Sequence, residues 1–169
     1  AVVSELLAGS ASGDGSAVAI TFEPHPGAVV GRRKASGEEG GPGRLSPSEE
    51  KAELLSRAGL TELVVVPFTR EIASSSARAF LDRMGIGRGA HLVLGYDFHM
   101  GRGRATDLGK LALLGREIGF GLDVVAPVLW QGQPISSTRI RRSLTEGRPL
   151  DAAQMLGRPY ALRGSVVPG

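Results

Sequence analysis

The sequence predicts an α/β fold: a parallel sheet with helices on both faces. Three observations carry this. Short apolar runs alternate with amphipathic segments along the whole chain, the order expected of strand–helix–strand units. The strand candidates are continuously apolar rather than alternating, as parallel strands covered on both faces are. The segments that leave the strands at one end (after Phe22, Val66, Leu94 and Ala126) are rich in Pro, Gly and Arg, and those at the other end are short and plain. In open α/β sheets ligands sit beyond the carboxyl ends of the strands, so this asymmetry also predicts where a site lies.

Taken in order, residues 1–8 read as the back of an amphipathic helix with no start signal. A break at Gly13 to Gly15 leads into a strand over Ala17–Phe22, which exits through the rigid Glu23-Pro24-His25-Pro26-Gly27. Gly31 to Gly43, rich in Gly, Arg and Glu, is expected to be a mobile loop. Ser46-Pro47-Ser48-Glu49 has the form of a capping box, with Ser46 as N-cap, Pro47 at the first helical position and Glu49 at the third. Lys51, Leu54, Leu55 and Ala58 continue that helix and Gly59 closes it. Leu63–Val66 is a second strand, a helix over Ser76–Met84 follows, and Gly85, Gly87 and Gly89 break it. His91–Leu94 is a third strand, Asp107–Ile118 a helix with Leu108, Leu111, Ala112 and Gly115 on one side, and Leu122–Ala126 a fourth strand. Pro127 to Pro134 connects to a helix opening at Ile135-Ser136-Ser137-Thr138. A short helix over Asp151–Leu156 then precedes a terminal strand near Tyr160.

Composition bounds the function. The 169 residues suffice for one domain with a sizeable core, and 41% hydrophobic with 22% charged residues is ordinary for a globular chain. No apolar run approaches the roughly 20 residues of a membrane span, and no signal-peptide pattern is present, so a cytoplasmic, membrane-free protein is expected. Zero cysteines exclude disulfides and thiolate metal sites, and three scattered histidines make a zinc site improbable, so no protein-held metal is expected. The basic set is 17 Arg and 3 Lys with a net charge of +3, too small an excess to argue for nucleic acid.

The segment with the most chemistry is Ile135-Ser136-Ser137-Thr138-Arg139-Ile140-Arg141-Arg142. The first amides of a helix have no intrahelical partner, and the dipole adds positive charge there, so such an end binds anions, phosphate above all. Arginines at that end oppose the dipole, which an outside anion would compensate. Thr138, Arg141 and Arg142 share one face, with Ile140 and Leu144 opposite. The competing reading is a capped surface helix with solvated arginines. Other candidates stay open between two readings. The Gly101-Arg102-Gly103-Arg104 loop either wraps a phosphate or ring edge or is a solvated turn. Asp97 either accepts hydrogen bonds from a ligand or forms a turn. His25 either contacts phosphate or is structural. His91 has no assigned role, and that of His99 is undetermined. No Walker-type or dinucleotide glycine motif and no Ser-His-Asp or paired-carboxylate arrangement is evident.

Five segments occur in order: Thr-Phe-Glu-Pro-His-Pro at 21–26, Leu-Ser-Pro-Ser-Glu-Glu-Lys at 45–51, Gly-Tyr-Asp-Phe-His-Met-Gly-Arg-Gly at 95–103, Ile-Ser-Ser-Thr-Arg-Ile-Arg at 135–141 and Leu-Gly-Arg-Pro-Tyr at 156–160. Together they resemble the bacterial bifunctional riboflavin kinase/FMN adenylyltransferases, also called FAD synthetases. The resemblance implies a Rossmann-like nucleotidyltransferase module over residues 1–157 and the start of a riboflavin kinase module over 158–169. It implies adenylyl transfer from ATP, with Mg²⁺ carried by the nucleotide, to FMN. Riboflavin would be a substrate of the kinase module only. By resemblance, Ser136, Ser137, Thr138, Arg141 and His25 would bind the nucleotide, with Ser137, Thr138 and Arg141 catalytic. Pro24, Pro26, Asp97 and Phe98 would line the flavin side. The family's opening strand with its Gly-x-Phe-Asp-Gly-x-His-x-Gly-His segment has no counterpart here, and Pro134 stands where relatives often carry a basic residue. A weak or inactive fragment of an active longer protein is therefore expected. The alternatives are a flavin- or nucleotide-binding module without turnover and another adenylyl- or cytidylyltransferase.

Overall fold

The computed structural model describes residues 2–11, 15–30 and 44–162. The chain divides into two compact units, Ala1–Ala126 and Pro127–Gly169. The expected loop over 31–43 and the residues from 163 onward lie outside the described residues.

The first unit is two βαβ units. Helix α1 (Val2–Ala11) precedes β1 (Val18–Glu23), and α2 (Pro26–Val30) and α3 (Ser48–Arg57) lead to β2 (Glu62–Pro67). Strands β1 and β2 pair in parallel, with Ile20 opposite Val64 and Phe22 opposite Val66. Helices α4 (Arg70–Ser74) and α5 (Ala77–Arg83) then lead to β3 (His91–Gly95). A 3-10 turn at Arg102–Arg104 and α6 (Leu108–Ile118) connect it to β4 (Gly121–Val125). β3 and β4 are again parallel, with Val93 opposite Asp123. A parallel pair needs a crossover of this length, which is why helices separate the partners in sequence.

The α/β architecture of parallel strands and helices is as expected, and among the described residues its ladders form pairs. Among the described residues the hydrogen-bonded ladders join β1 to β2 and β3 to β4, and none joins the two pairs. Some apolar residues of the strands are exposed: Ile20 at 36%, Val65 at 52% and Val124 at 49%. Because side chains alternate across the pleat, Val66 is buried while its neighbour Val65 is not.

The core gathers around the second βαβ unit. Leu81 of α5, Leu111 of α6 and Phe120 are buried, and Leu92, Leu94, Leu122 and Ile118 pack against them. Gly115 makes this approach possible, since a Cβ there would lie 2.9 Å from both the ring and the carbonyl oxygen of Phe120. Phe22 packs edge-on against Phe68 at 5.3 Å and against Phe80 at 5.7 Å between centroids, tying β1 to the segments after β2. His91 Nε2 donates to the Asp123 carboxylate across β3–β4 at 2.8 Å, a structural use for a residue to which the sequence assigned none.

Helix starts match the sequence where the cap is local. Asp107 Oδ1 accepts from the Lys110 amide at 2.9 Å and Ser76 Oγ from the Ala79 amide at 3.1 Å. The capping box at Ser46 does not form. Pro47, with ψ 160°, is still extended, so α3 begins at Ser48 with no side-chain cap.

The second unit is a hairpin and two helices. β5 (Leu129–Trp130) pairs antiparallel with β6 (Gln133–Pro134) around Gln131 and Gly132, both at positive φ (51° and 71°), as a type I′ turn requires. Helices α7 (Ser137–Thr145) and α8 (Pro149–Leu156) follow and pack on each other. Residues 159–162 form no strand.

Candidate functional site

At the exit of β1, the Glu23–Pro24 peptide is cis. The Glu23 carboxylate accepts both guanidinium nitrogens of Arg44 at 2.6 Å and the Ser48 hydroxyl at 2.6 Å. This bidentate fork, with the Ser48 bond adding to it, pulls the Glu23 pKa down to about 2. The Glu23 carbonyl accepts from the Phe68 amide at 2.9 Å, and Lys51 donates to Thr21 at 2.6 Å, so α3 and the β2 exit both brace this corner. Beyond it, His25 Nδ1 accepts from the Gly27 amide at 3.0 Å. With Nδ1 an acceptor, the neutral ring carries its proton on Nε2. His25 and Pro24 are exposed and Pro26 is half-buried.

The β3 exit is a folded-back loop rather than an open wrap. Met100 and Thr106 exchange backbone hydrogen bonds at 2.9 and 3.1 Å, and the Arg102 amide donates to the Ser75 carbonyl at 2.9 Å. Gly101 sits at φ 75°, and a Cβ there would meet the Ala77 nitrogen at 3.1 Å, so glycine is needed for the close approach to α5. Arg104 also holds positive φ, 60°. His99 Nδ1 lies 2.9 Å from the Asp97 carbonyl and 3.0 Å from Arg104 Nη2; it donates to the first when protonated and accepts from the second when not. Asp97 is exposed, whereas Phe98 packs against the Leu81–Leu111–Phe120 core.

In the second unit α7 opens at the serine and threonine segment. Ser136 is the N-cap of α7, its hydroxyl accepting from the Arg139 amide at 3.2 Å. Ser136, Ser137 and Thr138 are exposed, so the first-turn amides and hydroxyls face solvent. Arg141 Nη2 donates to Thr138 Oγ1 at 3.3 Å, which places a guanidinium beside the tip. Ile140 and Ser143 form the buried face. The three arginines have separate tasks. Arg139 donates to the carbonyls of Trp130 and Gln133, each at 2.9 Å, and its guanidinium lies 4.9 Å over the Trp130 ring, latching the hairpin to the first turn. Arg142 lines a cleft on the neighbouring stripe of the helix. Sequence reasoning missed this latch and the Glu23–Arg44–Ser48 cluster. The acidic residue at the strand end was visible, but its partners lie 21 and 25 residues away.

Among the described residues no three or more His, Cys, Asp or Glu side chains gather where they would hold a metal ion. No helix among them is long and apolar enough to cross a membrane.

The FAD synthetase family model matches residues 1–139. The chain is 36% identical over 154 residues to the bifunctional riboflavin kinase/FMN adenylyltransferase of Listeria monocytogenes, a match spanning 89% of this chain and 46% of that protein. It is 32% identical over 152 residues to the protein of the same name from Escherichia coli strain K12, spanning 89% and 47%. A Listeria monocytogenes protein named FAD synthetase is 30% identical over 152 residues, spanning 89% and 60%. The chain thus spans about half the length of the curated relatives it matches. A solved structure described as a macrolide-efflux protein from Streptococcus pneumoniae superposes with a TM-score of 0.75 over 94% of this chain and 50% of that one, at 23% identity, which speaks to the fold alone. With its Pro-His-Pro strand exit, its Asp-Phe turn and its serine-capped arginine helix all in the family order, the chain belongs to the FAD synthetase family.

Proposed function

We propose that this chain transfers the AMP moiety of ATP to FMN. An oxygen of the FMN phosphate attacks the α-phosphorus, the bond to the bridging oxygen breaks, and FAD and pyrophosphate leave. The observation that carries the proposal is the tip of α7, where solvent-facing Ser136, Ser137 and Thr138 and a guanidinium bonded to Thr138 converge. Helix-start amides and an arginine fork suit the oxygens of a triphosphate, and Arg141 neutralises charge as pyrophosphate departs. No covalent intermediate is needed, so catalysis is positioning and charge neutralisation, and positioning alone supplies roughly 7–11 kcal/mol. Mg²⁺ arrives with the nucleotide and supplies further charge neutralisation on its phosphates. His25, as an Nε2–H donor, serves the nucleotide, while Pro24, Pro26 and Asp97 serve the flavin. Phe98, packed inward, supports the flavin side by fixing the turn that presents Asp97. On this reading riboflavin kinase activity belongs to a module starting near residue 158, and riboflavin is not a substrate of 1–157.

The test is FAD and pyrophosphate formation from FMN and MgATP by the chain and by Arg141→Gln. One charge-assisted hydrogen bond contributes about 1.5–3 kcal/mol, so the variant loses about ten- to a hundredfold in nucleotide affinity or rate. FMN binding with no pyrophosphate release, under MgATP saturation, would replace this reading by that of a flavin-binding module. An Arg141→Gln variant equal to wild type would remove the helix tip from the mechanism.

A further inference from the structure

A second stripe of α7, adjacent to the tip, carries chemistry that the proposed reaction does not use. Arg139, Arg142 and Ser143 fall at i, i+3 and i+4 and line a cleft of about 210 Å³ together with Trp130, Gln133 and Arg148. That volume matches about seven waters' share of the liquid, at about 30 Å³ each, enough for a phosphate group with its first waters. Ser143 is 3% exposed, and among the described residues its hydroxyl makes no hydrogen bond, although it borders the cleft. The Ser143 oxygen borders the cleft, where it is open to a ligand or to solvent. The Arg142 guanidinium likewise has no hydrogen bond or ion pair among the described residues. Arg139 spends Nη1 on backbone carbonyls and its face on Trp130, and it lines the cleft. Arg148 is neutralised by Glu146 and by Asp151 at 3.3 Å. Summed over Arg139, Arg142, Arg148, Glu146 and Asp151, the cleft and its rim keep a net charge of +1.

We infer that this cleft is a second anion site, distinct from the Ser136–Ser137–Thr138–Arg141 tip, which takes a phosphate group through Arg142, the Ser143 hydroxyl and Arg139. Two guanidinium groups and a hydroxyl converging from three positions of α7 suit a tetrahedral set of oxygens better than a planar carboxylate, which one fork would satisfy. The site stands whether or not the chain turns over FMN.

Trp130 is the only tryptophan of the sequence, so its fluorescence reports on this cleft. Inorganic phosphate is titrated into the 169-residue chain, with sodium chloride and sodium acetate at matched ionic strength as references, and binding heat is measured in parallel. The expected result is a saturable, phosphate-specific change whose midpoint moves about tenfold or more in Arg142→Gln and by a smaller factor in Ser143→Ala. Arg142 is exposed, so its variant leaves folding intact, which circular dichroism verifies. The site is overturned by the absence of saturation in both fluorescence and heat, by an equal response to acetate or chloride, or by either cleft variant leaving the midpoint unchanged. A signal lost in Arg141→Gln but kept in Arg142→Gln assigns phosphate to the helix tip and also overturns it.

Discussion

Replacing Leu111 by alanine removes three carbon atoms from a fully buried side chain that packs with Leu81 and Phe120. At about 0.8 kcal/mol per buried carbon the transfer loss is about 2.4 kcal/mol, and the unfilled cavity raises the range to about 2–5 kcal/mol. The surroundings have little room to collapse, because α6 is already held against the Phe120 ring and carbonyl at Gly115. Leu113, two residues along the same helix, is 63% exposed and provides the internal control. Leu→Ala has the same small helix-propensity effect at both positions, so the difference between the two variants isolates burial. Chemical or thermal denaturation followed by far-ultraviolet circular dichroism measures it. For a chain of this size each kcal/mol shifts Tm by roughly 2–4 °C, so Leu111→Ala should lower it by roughly 4–20 °C, and Leu113→Ala should change stability by about 0.5 kcal/mol or less. Because the chain has two compact units, the transition compared is the one that Leu113→Ala shares with wild type. Equal losses from the two substitutions would refute the placement of α6 against Leu81 and Phe120.

Two further outcomes concern the site. Glu23 has its folded pKa depressed from 4.5 to about 2, chiefly by the Arg44 hydrogen bonds, so its contribution is present above pH 4.5 and is lost as pH falls toward 2. Arg44→Gln should therefore be less stable than wild type at neutral pH, with the gap closing between pH 4.5 and 2 in an acid-unfolding series; a gap independent of pH would contradict the pairing. Ser136→Ala removes the hydroxyl that caps α7 at the Arg139 amide and should cost about 1 kcal/mol of stability. Ser136→Asp, which restores a cap acceptor, should recover that stability yet weaken ATP binding by placing a carboxylate beside the phosphates, and recovery of both would count against phosphate at the tip.

What residues alone determined here was chemistry closed within a few positions. Ser136, Ser76 and Asp107 were readable as helix starts because a cap bonds an amide three residues on, a contact that backbone geometry fixes without reference to the rest of the chain. The strands were readable because an apolar run of that length is a local property, and their parallel sense followed from the helices between them. The failures were of another kind. The box at Ser46 had every local signal, yet Pro47 stayed extended and the Ser48 hydroxyl went to Glu23, 25 residues away. The two-residue strands of the Trp130 hairpin are too short to give a period, and Arg139 looked like one more phosphate ligand until its carbonyl partners were seen. Gly115 read as part of one helix face and Gly101 as part of a loop open to a ligand or solvent, and only packing against Phe120 and Ala77 shows why a side chain is excluded. Tertiary structure decided these points because a hydroxyl, a guanidinium or a missing Cβ offers the same valence to many partners. Which partner it takes depends on the distances that the folded backbone sets.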